Sequence, residues 1–323
     1  MIGLFPLASK ATETSGSSGR KPVFLASLSF PVALFAVFWV GLVSMEQVYR
    51  FVGWAISEGG TDVQTDIRYG AHARQRLDVY RPYSAAARKA GADAPLILFL
   101  YGGSWRDGDR EIYRFVGDAF ASRGYTTVIP DYRLYPDVQF PAFVDDVAMA
   151  YRWAEKNLLR PGQQIVMIGH SAGAHMTALV ALDPRYLKSA GTDDTALAGW
   201  VGLAGPYAFE PTKWPSTKEI FASASGPDVP RPVTHVSPGE KPALLFHGLD
   251  DDVVKVWNMR ELVKAFRAQG SDVRAVELPG VAHVGIVLAL AKPFRSKGPV
   301  LDQTLSFIRS VSGKSPTRSV DGR

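Results

Sequence analysis

Apolar residues in this chain gather into short runs, separated by longer stretches in which they recur every three or four positions. The runs Pro95–Leu100 (PLILFL), Gln164–Ile168 (QIVMI), Leu197–Leu203 (LAGWVGL), Ala243–Phe246 (ALLF) and Val273–Leu278 (VRAVEL) predict strands, most of them buried on both faces. The periodic stretches predict helices. One covers Pro141–Leu159 and is ended by Arg160-Pro161-Gly162; another covers Val256–Gln269 and stops at Gly270; a third covers Ala174–Leu182. A short helix is expected around Glu219. Strands that alternate with helices in this way argue for an α/β domain with a mostly parallel sheet covered on both faces. Ligands then bind beyond the carboxyl ends of the strands.

Candidate chemistry falls at those ends. The strand QIVMI runs into GHSAG (Gly169–Gly173) and then into a helix, which is the pattern of a nucleophile elbow. Small residues two positions either side of Ser171 permit a strained turn. That turn lifts the hydroxyl above the first helical turn, where peptide dipoles favour developing negative charge. Ser171 is therefore the candidate nucleophile; a glycine-rich turn that merely packs a helix on a sheet is the plainer alternative.

A nucleophilic serine needs a base, and the chain has six histidines. In this architecture the acid and the histidine follow the serine, which removes His72 and His170. His175 lies one turn further along the serine's own helix, His235 sits in a proline-rich loop, and His247 precedes the acids. His283, in the loop after VRAVEL, remains as the candidate base. Asp250, Asp251 and Asp252 all follow the strand ALLF directly, and one of them is expected to orient the imidazole while the others are solvated or form the turn. After PLILFL comes YGGSW (Tyr101–Trp105), whose Gly-Gly step lets main-chain amides face a developing oxyanion. The amide of Ala172, the residue after the nucleophile, completes such a hole.

Taken in order, YGGSW, DYRLYP (Asp131–Pro136), GHSAG and HGLDDDVV (His247–Val254) resemble the motifs of the α/β-hydrolase fold. The similarity is to its branch of hormone-sensitive-lipase-like, feruloyl-esterase-like and isoprenylcysteine-methylesterase-like serine esterases, and it spans about residues 64–311. The resemblance implies an α/β-hydrolase fold, an acid at Asp251, oxyanion amides at Gly103 and Ser104, and a catalytic histidine at His283. Tyr101 stands where that family has histidine, which retunes the oxyanion loop without removing its amides. Only about forty residues separate LAGWVGL from ALLF, so no large cap domain is expected. The activity expected is that of a carboxylesterase-type serine hydrolase acting on small to medium esters, with no cofactor and no metal. The alternatives are an amide-bond hydrolase, arylformamidase-like or a small peptidase, and a non-catalytic ligand-binding module on the same scaffold. Trp105, Tyr207, Trp214 and Trp257 are candidate substrate-binding residues, with core packing the competing role for each. For Asp131 and Arg133, an internal ion pair bracing adjacent loops is expected.

Composition changes this picture mainly at the amino terminus. Residues 22–45 form a stretch of 24 residues without a charge, long enough at about 1.5 Å per residue to cross a bilayer core. A signal peptide has a shorter apolar region and a small-x-small cleavage site, so an uncleaved anchor is the favoured reading, with a cleaved signal and a secreted product as the alternative. Lys10, Arg20 and Lys21 precede the stretch, which places residues 1–21 in the cytoplasm and exports the hydrolase domain. Residues 46–63 are expected to be a linker or a lid, and residues 1–21 and 312–323 disordered tails. The net charge is +5, but residues 1–45 and 312–323 carry +2 each, which leaves +1 for everything between. Nucleic acid is thus not an expected partner. The absence of cysteine removes disulfides and thiolate metal sites and is compatible with either redox compartment.

Overall fold

A computed structural model of the chain describes residues 45–84, 88 and 93–313. Apart from Met45, the apolar stretch 22–45 lies outside the described residues, as do residues 1–21 and 314–323. No helix among the described residues is long and apolar enough to cross a membrane.

Eight strands form one sheet: β1 (Thr61–Arg68), β2 (Arg76–Pro82), β3 (Leu96–Leu100), β4 (Thr127–Pro130), β5 (Ile165–His170), β6 (Leu197–Leu203), β7 (Ala243–Gly248) and β8 (Val273–Leu278). Their order is β1-β2-β4-β3-β5-β6-β7-β8, with β1–β2 and β2–β4 antiparallel and every other pair parallel. The central strands β3, β5, β6 and β7 are buried at every position, whereas the edge strands β1 and β8 are partly exposed and β1 is largely polar. Continuous apolar runs therefore mark the strands covered on both faces.

Glycines show which helix covers which face. A side chain at Gly169 would strike Gly173, Ala174 and Thr177 of α4 (Ala172–Leu182), and one at its register partner Gly202 would strike Tyr207. Gly199 points to the other face, where Phe307 of α8 (Val300–Ser312) fills the space a side chain would need. The remaining helices are α1 (Met45–Ala55), α2 (Arg114–Ala121), α3 (Ala142–Leu158), α5 (Pro184–Ala190), α6 (Trp257–Ala268) and α7 (His283–Leu288).

Three local expectations are corrected. The segment 46–63 is neither a bare linker nor a wall of the cleft described below. It carries most of α1, tied down by Arg50 to Asp109 (2.9 Å) and Glu111 (2.7 Å), and then the start of β1 at Thr61. Around Glu219 the chain makes turns and no α-helix. There the carbonyls that would continue a helix are drawn off by a neighbouring loop: Ile220 accepts from the Phe140 amide (2.9 Å) and Glu219 from Gln139 Nε2 (2.8 Å). Asp131 and Arg133 brace loops as expected, but each with a different partner. Arg133 pairs with Asp146 (2.7 Å), and Asp131 with Arg110 and Arg74.

Candidate active site

Parallel register brings the carboxyl ends of neighbouring strands level, with Leu100 of β3 opposite Gly169 of β5, His170 opposite Leu203 of β6, and Gly248 of β7 opposite Leu278 of β8. The four motifs lie at the carboxyl ends of β3, β4, β5 and β7. At the elbow after β5, Ser171 has φ 54° and ψ −121°, a conformation unfavourable for a residue with a Cβ. Strain of this kind costs on the order of 1–3 kcal/mol and persists only where its surroundings enforce it. Here they do. The Ser171 amide donates to the Leu203 carbonyl (2.9 Å), and a Cβ at Gly173 would lie 2.2 Å from the Leu100 carbonyl oxygen, so only glycine lets α4 approach β3.

Ser171, His283 and Asp251 come together from positions far apart in the chain, and all three are buried. The Asp251 carboxylate can only accept, which assigns the proton to Nδ1 of His283; that Nδ1–H donates to Asp251 Oδ2 at 2.7 Å. The free Nε2 lone pair then accepts from the Ser171 hydroxyl at 2.8 Å. Asp251 is held in turn by the amides of Val253 (2.9 Å) and Val254 (2.8 Å), both donating to Oδ1. Burial pushes its carboxyl pKa up, but the bonds from His283 and Val254 outweigh this and leave it below the ordinary value. Asp250 and Asp252 are exposed on the same loop.

Two further histidines surround this trio in places the sequence did not reveal. His170, discarded as a base by chain order, is fully buried and donates from Nε2 to the main-chain carbonyl of His283 (3.1 Å). Burial, reinforced by the nearby His283 ring, pushes its pKa down to about 3, so it stays neutral at working pH. His247 donates from Nε2 to the Val254 carbonyl (2.7 Å) and pins the loop that carries Asp251. Burial lowers its pKa as well. His175 is buried beneath Trp105, bonded through Nε2 to the Pro230 carbonyl (2.7 Å).

Beyond β3, Gly103 (φ 144°), Ser104 (φ 53°) and Trp105 (φ 58°) form a run of positive-φ residues. At Gly103 a Cβ would lie 1.9 Å from the Asp107 carbonyl oxygen, so the turn requires glycine. Ser104 and Ala172 flank Ser171 in the wall of one cleft. As the first residue of α4, Ala172 has an amide with no partner inside the helix, so it is free for a ligand oxygen. Beneath this loop Tyr101 is completely buried. Its ring stacks between Tyr113 (5.4 Å) and Tyr132 (4.8 Å), and its hydroxyl donates to Asp131 Oδ1 (2.7 Å) while accepting from Arg74 (2.9 Å). Arg110 joins Asp131 to Asp78 (2.8 Å). Tyr101 thus ties the YGGSW loop to a buried charge network.

The cleft beside Ser171 encloses about 220 Å³, below the roughly 300–1,000 Å³ of sites for drug-sized ligands. Trp105, Trp214 and Trp257 line it. Tyr207 does not. It is fully buried, fills the space that Gly202 and Gly205 leave open, and meets Trp200 edge-on at 6.2 Å, so its role is packing. The sequence reading missed Phe209, Val253, Val254, Lys255 and Asn258, which also line the cleft. Asn258 accepts from the amides of Ala208 (3.1 Å) and Phe209 (2.9 Å) and so fixes the wall opposite α6. No signal in the sequence points to it. Among the described residues no group of acidic or histidine side chains is arranged to hold a metal ion.

Residues 77–204 match the BD-FAE family and residues 142–315 the prolyl oligopeptidase family. Esterase LipC of Mycobacterium tuberculosis is 31% identical over 245 residues, covering 67% of this chain and 58% of LipC. The isoprenylcysteine alpha-carbonyl methylesterase ICME of Arabidopsis thaliana is 25% identical over 281 residues, 79% of this chain and 64% of that protein. The chain thus spans less than two thirds of the length of these curated relatives. Among solved structures, esterase B from Lactobacillus rhamnosis superposes with a TM-score of 0.69 at 19% identity, covering 87% of this chain and 95% of that one. A carbohydrate esterase from gut microbiota gives 0.67 at 17% identity, covering 80% and 99%. At these identities the structural likeness establishes the fold.

Proposed function

The chain belongs to the α/β-hydrolase serine esterases, and from that premise we propose that it hydrolyses small to medium carboxylic esters through Ser171, His283 and Asp251. The observation that carries the reading is the unbroken hydrogen-bond chain from Ser171 through His283 to Asp251 at the floor of an open, largely apolar cleft. In the mechanism, Ser171 Oγ attacks the ester carbonyl as its proton passes to His283 Nε2, and Asp251 stabilises the imidazolium. The amides of Gly103, Ser104 and Ala172 receive the oxyanion. His283 then protonates the leaving alcohol, and water, activated by the same nitrogen, releases the acid from the acyl-enzyme.

The size of the cleft sets the acyl preference. Each buried CH₂ contributes about 0.8 kcal/mol only while there is wall to bury it. Across 4-nitrophenyl esters, kcat/KM is expected to peak between acetyl and hexanoyl and to fall well before palmitoyl. A steady rise to the longest chains would overturn the substrate class. The match to the prolyl oligopeptidase family favours one competing reading, cleavage of amide bonds. Aryl formamides and peptide 4-nitroanilides assayed beside the esters decide between them, because the same triad serves both chemistries and only the ratio of rates separates them.

Residues 22–45 are proposed as a membrane anchor that leaves the hydrolase domain on the exported side, on the strength of their 24 uncharged positions and the preceding Lys10, Arg20 and Lys21. Full-length protein should resist alkaline carbonate extraction from membranes. A mature form starting near residue 45 would point instead to a cleaved signal.

A further inference from the structure

The cleft beside Ser171 is walled by Trp105, Phe209, Trp214, Val253 and Trp257, and among its lining residues a single side chain, that of Lys255, carries a charge. Lys255 sits just ahead of α6, and its main chain is fixed there: its carbonyl accepts from both the amide (3.0 Å) and the side-chain Nδ2 (3.1 Å) of Asn258. The ammonium lies 3.4 Å from the main-chain oxygen of Asp251, and among the described residues no carboxylate stands within 4.0 Å of it. The acidic neighbours on the loop are otherwise placed. Asp251 is committed to His283 and the amides of Val253 and Val254, Asp250 accepts from the Gly280 amide, and neither Asp250 nor Asp252 lines the cleft. Lys255 is exposed, as are Trp214, Val253 and Trp257 of the same cleft, so an ammonium with no paired carboxylate is open to the anion of a ligand held there.

We propose that Lys255 recognises an anionic group on the substrate, so that the preferred esters combine an apolar body with one carboxylate, phosphate or sulfate. This rests on the hydrolase reading above and deepens it. The apolar walls take the body, Ser171 takes the ester carbonyl, and the ammonium takes the anion, on either the acyl or the alcohol side.

Two matched pairs of esters test this in the full-length protein. For the acyl side, 4-nitrophenyl hexanoate is compared with mono-4-nitrophenyl adipate; for the alcohol side, phenyl butyrate is compared with 4-butyryloxybenzoate. In at least one pair, Lys255→Gln should lower the ratio of kcat/KM for the anionic ester to that for the neutral one by about threefold to fivefold, the scale of one partly solvated ion pair. Lys255→Arg should keep the ratio, Lys255→Glu should lower it further, and added salt should shrink the wild-type preference. Because Lys255 lines the cleft and donates to the Asp251 main-chain oxygen, the readout is the ratio within each pair and not the rate on either ester alone. Ratios that Lys255→Gln and Lys255→Glu leave unchanged in both pairs overturn the proposal while the hydrolase reading stands. No turnover of any of the four esters overturns both.

Discussion

Replacing Ser171 with alanine should lower ester turnover by on the order of 10⁶, the loss seen when a triad serine is removed elsewhere. The oxygen removed is the attacking atom, and neither the amides around it nor His283 can supply another. The fold should survive. One hydrogen bond to His283 is lost, a change of about 1 kcal/mol, and alanine keeps the Cβ, so the backbone strain at φ 54° is neither relieved nor increased. A fluorophosphonate probe should label the wild type at Ser171 and leave the variant unlabelled, with thermal unfolding measured alongside. Retained turnover in a folded variant, or label on another residue, would remove Ser171 from the mechanism.

The second large effect is expected at Asp251. In Asp251→Asn the side-chain oxygen still has two amide donors to satisfy, those of Val253 and Val254, so the new NH₂ group must face His283. That donor forces the imidazole proton from Nδ1 to Nε2, where it meets the Ser171 hydroxyl instead of accepting from it. A loss in kcat on the order of 10⁴ follows from the wrong tautomer alone. Asp250→Asn and Asp252→Asn, exposed and outside this hydrogen-bond chain, should stay within about tenfold of wild type. Steady-state kinetics on the three variants decide the matter. If Asp250 or Asp252 proves the sensitive position, the acid is misassigned.

Much of this arrangement was legible in the chain because it rests on local pattern. β6 and β8 have the boundaries that their apolar runs suggest, and β5 leads into the GHSAG turn because β-branched residues there meet glycines that a close helix requires. The grouping of Ser171, His283 and Asp251 followed from chain order and motif spacing. What stayed hidden depends on partners that only the folded chain brings into place. Tyr207 follows a strand end just as a cleft residue would, and only the empty space above Gly202 and Gly205 draws it into the core. β1, TDVQTDIR, is too polar to announce itself as a strand; it pairs on one side only, with β2. His170 and His247 offer no sequence signal, since the first is defined by a carbonyl from a distant segment and the second by the way its own loop folds back on it. The Glu219 turns fail to become a helix because a loop some eighty residues earlier takes their carbonyls.

The strand order has a consequence for how activity first arises in a newly made chain. β4 lies between β2 and β3, and beyond β3 the strands β5, β6, β7 and β8 stand side by side in the order of synthesis. Domains made at roughly 5–20 residues per second can begin folding from the amino-terminal side. The elbow and the oxyanion loop can therefore form while His283, 112 residues after Ser171, has yet to be made. Until β8 docks and His170 captures the His283 carbonyl, the serine has no base and is an ordinary alcohol. His283, which follows β8, is thus the last member of the proposed triad to be made.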